Sequence, residues 1–139
     1  MIKILFIVDY LTMNTGGPRF LIDVFRRLSM SDYKIHIITG AIDYTALYIL
    51  KSRSNVDIIN LNIFNTKALP SEQPINVIKF LHKAFNIVNS ITKRSHIDII
   101  HLNSHFPNLL SYAIKLNVPI ICSIHHLEET IQFLSLIHI

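Results

Sequence analysis

The sequence predicts an α/β fold built on a doubly wound parallel sheet of strand order 3-2-1-4-5. Three observations point there. Apolar runs of strand length alternate with segments whose apolar residues recur at helical spacing over the 139 residues. The first run, Ile4 to Val8, leads through a turn-rich segment ending in Gly16-Gly17 to Phe20, Leu21, Val24, Phe25 and Leu28 at helical spacing. The last run, Val118 to Ile124, is nearly continuous in apolar residues, as a strand covered on both faces should be. Right-handed crossovers between such strands give the Rossmann-like order, with a crevice at the carboxyl ends of strands one and four.

Ile2 to Leu28 organises the rest: a buried strand, a glycine loop and an amphipathic helix in succession. Pro18 suits the first helical turn, where a missing N–H costs nothing. Gly16 and Gly17 are expected to let the backbone bend sharply and to leave the helix N-terminus uncovered, a place that favours an anion such as a phosphate. The same succession also opens an ordinary βα unit of any doubly wound sheet. Tyr33 to Thr39 reads as the second strand, closed by Gly40, and Asp43 as the cap of a short helix from Tyr44 to Arg53. Val56 to Leu61 is the third strand, and Asn62 to Pro74 is a loop by composition. A long helix follows from Ile75 to Arg94, with Val77, Ile78, Leu81, Ala84, Phe85, Val88 and Ile91 as its apolar face. Ile97 to Leu102 is the fourth strand and Pro107 to Leu116 a proline-started helix. Leu127 to Ile139 begins another helix that stops unfinished, so the fold is expected to be C-terminally incomplete.

Composition narrows the function. One domain is expected, and 50% hydrophobic against 16% charged residues marks a core-rich globular chain. No apolar run approaches the roughly 18–20 residues that cross a bilayer, and the N-terminal apolar run meets Asp9 too soon for a signal peptide. The single Cys122 excludes an internal disulfide and fits a reducing cytoplasm; it reads as an inert core residue. The net charge of +4 is not clustered on one recognition element and there is no Trp, so no nucleic-acid partner is expected. Lys79, Lys83, Lys93 and Arg94 lie on the long helix, with no acidic residue between Glu72 and Asp98. Such a helix can rest on an anionic membrane. The apolar stripe favours the simpler reading, a solvated outer face over a packed inner one.

The topology places Tyr10 to Gly17, Asn103 to Phe106 and His125-His126 around one cleft. Histidine can move a proton near neutrality or ligate a metal. His101, inside its strand, reads as packed and hydrogen-bonded. His105, on the loop, and His125, at the strand end, stand where function concentrates. No spacing or cysteine cluster supports a metal site, and none is expected. Glu128 and Glu129 suit the first turn of a helix. Asp9 either points into the cleft or closes its strand. A nucleophile elbow is absent, and a dinucleotide fingerprint is lacking because strand two ends in Thr39-Gly40 where an acidic ribose ligand would stand.

MIKILFIVDYLTMNTGGPRFLIDVFRRL followed by YKIHIITG resembles the opening of the family 4 retaining glycosyltransferases of GT-B architecture. DIIHLNSHFPNLLSYAIKLNVPIICSIHHLEE resembles the later part of the same N-terminal domain. The resemblance implies that residues 1–139 form the acceptor-side domain, with the donor-binding domain absent and no turnover by this chain alone. It implies a nucleotide-sugar donor, held by a missing domain or a partner chain, and a glycan or lipid-linked acceptor, with no cofactor. Gly16 and Gly17 match the loop facing the donor phosphates. His125 matches the catalytic strand-end histidine beside the transferred sugar, and His101 the first histidine of the fourth-strand motif. Asn103 stands where that motif often has a second histidine; with His105 and His126 it completes the substrate-binding set. Ser123 and His126 depart from the usual residues there, and Arg19 replaces a common acidic residue, which leaves the acceptor open. The closing LSLIHI also resembles translated adapter sequence. The alternative is a non-catalytic subunit of a split glycosyltransferase that docks a donor-binding chain. Either would be cytoplasmic, with peripheral contact at the inner membrane face as a further option.

Overall fold

The computed structural model describes residues 1–14 and 16–123. In chain order these form β1 (Ile2–Val8), α1 (Gly16–Arg27), β2 (Tyr33–Thr39), α2 (Tyr44–Lys51), β3 (Val56–Asn60), α3 (Pro74–Arg94), β4 (Ile99–Asn103), α4 (His105–Asn108) and β5 (Ile120–Ser123). Short 3-10 turns at Pro70–Glu72 and Leu109–Tyr112 complete the set. The strands pair in parallel throughout, in the order β3-β2-β1-β4-β5. This is the doubly wound sheet that the sequence predicts. The expected helix from Leu127 onward, and the strand end at Ile124, lie outside the described residues.

Period-two alternation distributes the apolar side chains over two cores. Leu5 and Ile7 of β1 join Ile100 and Leu102 of β4 against Val77, Phe80, Ala84 and Val88 of α3. Phe6 and Val8 face the other way, toward Leu21, Ile22 and Phe25 of α1 and Ala46 and Leu50 of α2. Phe6 and Phe25 meet edge to face, with ring centroids 4.7 Å apart. Parallel strands need both faces covered, and the central strands are covered by α1 and α2 on one side and α3 on the other.

The structure differs from the sequence reading in four places. Gly16 and Gly17 form the first turn of α1 instead of a loop before it, and neither has a positive φ. The buried stripe of α3 runs through Val77, Phe80, Ala84 and Val88, whereas Ile78 is 69% exposed. Ile78 lies about 100° around the helix from Val77 and so leaves the stripe that Phe80 occupies. The expected helix from Pro107 to Leu116 instead starts at His105 and tightens after Asn108 into a 3-10 turn. There the Ser111 hydroxyl donates to the Asn108 carbonyl at 2.8 Å, competing for an acceptor that a continuing helix would use. Finally, β5 pairs only with β4 among the described residues, and Ile121 and Cys122 are exposed. Cys122 is therefore not a core residue, although partial burial still pushes its thiol pKa up.

Candidate functional site

The carboxyl ends of β1 and β4 are neighbours, with Val8 beside Asn103, and the chain leaves them in opposite directions across the sheet. That divergence opens a crevice at a topological switch point. Its floor is polar where the surrounding core is not: Asp9, Thr12 and Asn103 are all buried.

Asp9 follows the last residue of β1 and accepts the Tyr10 N–H on Oδ1 at 2.8 Å, while its own carbonyl accepts the Gly40 N–H at 2.8 Å. Gly40 must be glycine, since a Cβ there would sit 2.4 Å from the Phe64 ring and 2.8 Å from the Asp9 carbonyl oxygen. Burial raises the Asp9 carboxyl from 3.8 to about 6, against the opposing pull of the Ser104 hydroxyl, the Tyr10 amide and the His105 ring. Across the crevice Ser104 adopts φ 84° and ψ 176°, a conformation otherwise kept almost wholly by glycine. Its hydroxyl is shielded from water and makes no hydrogen bond of ordinary geometry, yet lies near enough to the Asp9 carboxyl to favour the ionised form. Backbone strain of this kind costs about 1–3 kcal/mol and gathers at functional sites. Immediately after Ser104, His105 opens α4.

His101 is half-buried in β4, its Nε2 hydrogen-bonded to the Ser123 hydroxyl and its ring 4.9 Å from that of Phe6. Asn108 ties α4 to β5 by donating from Nδ2 to the Ser123 carbonyl at 3.1 Å. His101, Asn103 and His105 are thus brought to one end of the sheet. His125 and His126 lie outside the described residues.

The segment between β1 and α1 is held from a distance. Asp43 accepts the Ala46 N–H on Oδ1 at 2.7 Å, capping α2, and the Met13 N–H on Oδ2 at 2.8 Å. Burial opposes its ionisation. The Ala46 and Met13 amides and the Thr12 hydroxyl outweigh it and hold the carboxyl below its ordinary range. The sequence shows Asp43 only as a cap; its second oxygen acts across 30 positions of sequence, which no local pattern records. Asp9 and Ser104 carried little sequence signal beyond a carboxylate directly after an apolar run. Just past the Asp43-held segment, Gly16 and Gly17 begin α1, and a Cβ built on either would meet nothing within 4 Å. Packing within the described chain does not require glycine there. Among the described residues, no group of three or more His, Cys, Asp or Glu could hold a metal ion.

Residues 14–138 match the family model described as Glycosyltransferase Family 4. The chain belongs to glycosyltransferase family 4. Among solved structures, the family 4 chain is similar to Phytolacca americana UGT2 complexed with UDP-2fluoro-glucose and pterostilbene, with 12% identity and a TM-score of 0.62. That likeness covers 88% of this chain and 30% of the other, and establishes the fold: a Rossmann-like unit of GT-B architecture. No curated protein matches the chain. Within the described residues of this family 4 chain, no helix is long and apolar enough to cross a membrane.

Proposed function

We propose that this chain is the acceptor side of a retaining glycosyltransferase that moves a sugar from a nucleotide-sugar to a glycan or lipid-linked acceptor. The observation that carries the reading is the start of α1. Two glycines whose missing side chains face open space begin a helix beside the crevice of a family 4 chain. The first N–H groups of a helix favour negative charge, and glycine lets a ligand approach the backbone closely. A leaving diphosphate is such a charge, and donors already aimed where it develops would lower the barrier to sugar transfer.

In this reading His125 hydrogen-bonds the transferred sugar or the acceptor hydroxyls. His101, Asn103, His105 and His126 line the acceptor side. Asp9 is a positioning residue: its carboxyl faces Ser104 and His105 and sets the turn that presents the latter. The donor wall comes from a second Rossmann-like domain, in the same polypeptide or in a partner chain, and transfer requires both. The scheme needs no metal. The span of 30% of the UGT2 chain suits either arrangement. Co-purification with a donor-binding protein supports a split enzyme, and a lone monomer counts against it.

The test is His125→Ala in the complete two-domain enzyme. Turnover is expected to fall sharply with folding intact. Wild-type turnover in that variant removes His125 from the mechanism.

A further inference from the structure

We propose that the amino-terminal end of α3, with the loop before it, is a docking surface for an anionic lipid bilayer. Ile75 and Ile78 stand three residues apart on one helical face, each 69% exposed, and Leu69 on the preceding loop is 48% exposed. Single exposed aliphatic residues are ordinary, but three at one end of an element form a patch. Lys67, Lys79 and Lys83, all exposed, rim it. Glu72 is the one carboxylate nearby, and none occurs from Gln73 to Ile97.

The patch is built and not a loose tail. Gln73 donates from Nε2 to the carbonyls of Asn65 and Ala68 at 3.0 and 3.3 Å and accepts the Asn65 N–H on Oε1 at 3.0 Å. Asn76 donates to the same Oε1 at 2.9 Å. One side chain therefore fixes the Leu69 loop against the first turn of α3. Farther along the helix, the exposed positions are polar: His82, Asn86, Lys93 and Arg94. Aliphatic side chains confined to one tip beneath a lysine rim match a surface that is apolar below and negative above, which is the boundary between acyl chains and acidic headgroups.

Its position adds to the argument. α3 carries the chain from the carboxyl end of β3 back to the amino end of β4, so its first turn lies at the same edge of the sheet as Asp9, Ser104 and His105. A bilayer docked there runs alongside the crevice. The docking holds for any acceptor; on the reading above it would bring a lipid-linked acceptor within reach.

The test is sedimentation of the full chain with sucrose-loaded vesicles, either of phosphatidylcholine alone or of equal parts phosphatidylcholine and phosphatidylglycerol. Wild-type protein is expected to partition onto the mixed vesicles roughly tenfold better or more. The double variant Ile75→Glu/Ile78→Glu should lose at least about tenfold of that binding. Lys79→Glu/Lys83→Glu should lose the preference for phosphatidylglycerol. All four positions are exposed, and unchanged thermal unfolding verifies the fold. No binding by wild type, unchanged binding by the isoleucine variant, or equal binding to both vesicle types overturns the proposal. So does lipid-free self-association that Ile75→Glu/Ile78→Glu abolishes, which would make a second copy the occupant. Turnover enters none of these readouts, so failure here leaves the transferase reading standing.

Discussion

Asp9 holds its proton more tightly in the folded chain than in the unfolded one, because burial raises its pKa from 3.8 to about 6. Between those values the folded state binds more protons, so stability falls as pH rises through that window and stays lower above it. At about 1.36 kcal/mol per pH unit, the cost at neutral pH is about 3 kcal/mol. Asp43 has the opposite sign. Its lowered pKa contributes stability above about pH 4 that is lost as pH falls below its ordinary value. Asp9→Asn cannot ionise and keeps an oxygen for the Tyr10 N–H. It should be more stable than wild type by about 2–3 kcal/mol at pH 7.5, with most of the difference gone near pH 4. Urea unfolding across pH measures this, and a variant less stable at pH 7.5 would contradict the account. A buried carboxylate that costs stability is what a functional site tolerates and a core does not. None of this was legible in the sequence, where Asp9 could equally close a strand. Its environment is assembled by Gly40 from β2's end and Ser104 from β4's end, both distant in sequence.

At the level of elements, α3 makes the sharpest distinction between a helix's existence and its rotation. Its length and its basic end were readable from residue types, whereas Pro74, counted with the loop by composition, is its first residue. Which residues face the sheet was not fully so, because the apolar set is wide enough to admit Ile78 as readily as Phe80. The structure buries Phe80 completely against Phe64, their ring centroids 5.5 Å apart, and leaves Ile78 in water. Phe80→Ala should therefore cost about 3–5 kcal/mol. Ile78→Ala should change stability by no more than about 0.5 kcal/mol. Chemical denaturation of the two variants decides between the faces, and comparable losses would return Ile78 to the core. β2 and the start of α2 follow local rules alone, a run of β-branched residues and an Asp cap, and both stand where the residues put them. α4 does not, since Ser111 captures the carbonyl that a longer helix would need.

For the whole molecule, the order of the sheet was accessible from sequence because parallel α/β connections leave few topologies open. The family match likewise runs over nearly the whole chain, residues 14–138. The chemistry of the crevice was less accessible, because it depends on side chains from three strands meeting at one edge. The claim on which the functional account turns is that Gly16 and Gly17 are kept for a ligand and not for folding. The most direct test is to measure stability and turnover together for Gly16→Ala/Gly17→Ala in the complete two-domain enzyme. The added methyl groups meet open space, so stability should hold or rise by up to about 1 kcal/mol, while kcat/KM falls at least about tenfold. Full turnover in a stable variant would contradict the placement of the diphosphate at α1, and a large loss of stability would show that the glycines serve the fold.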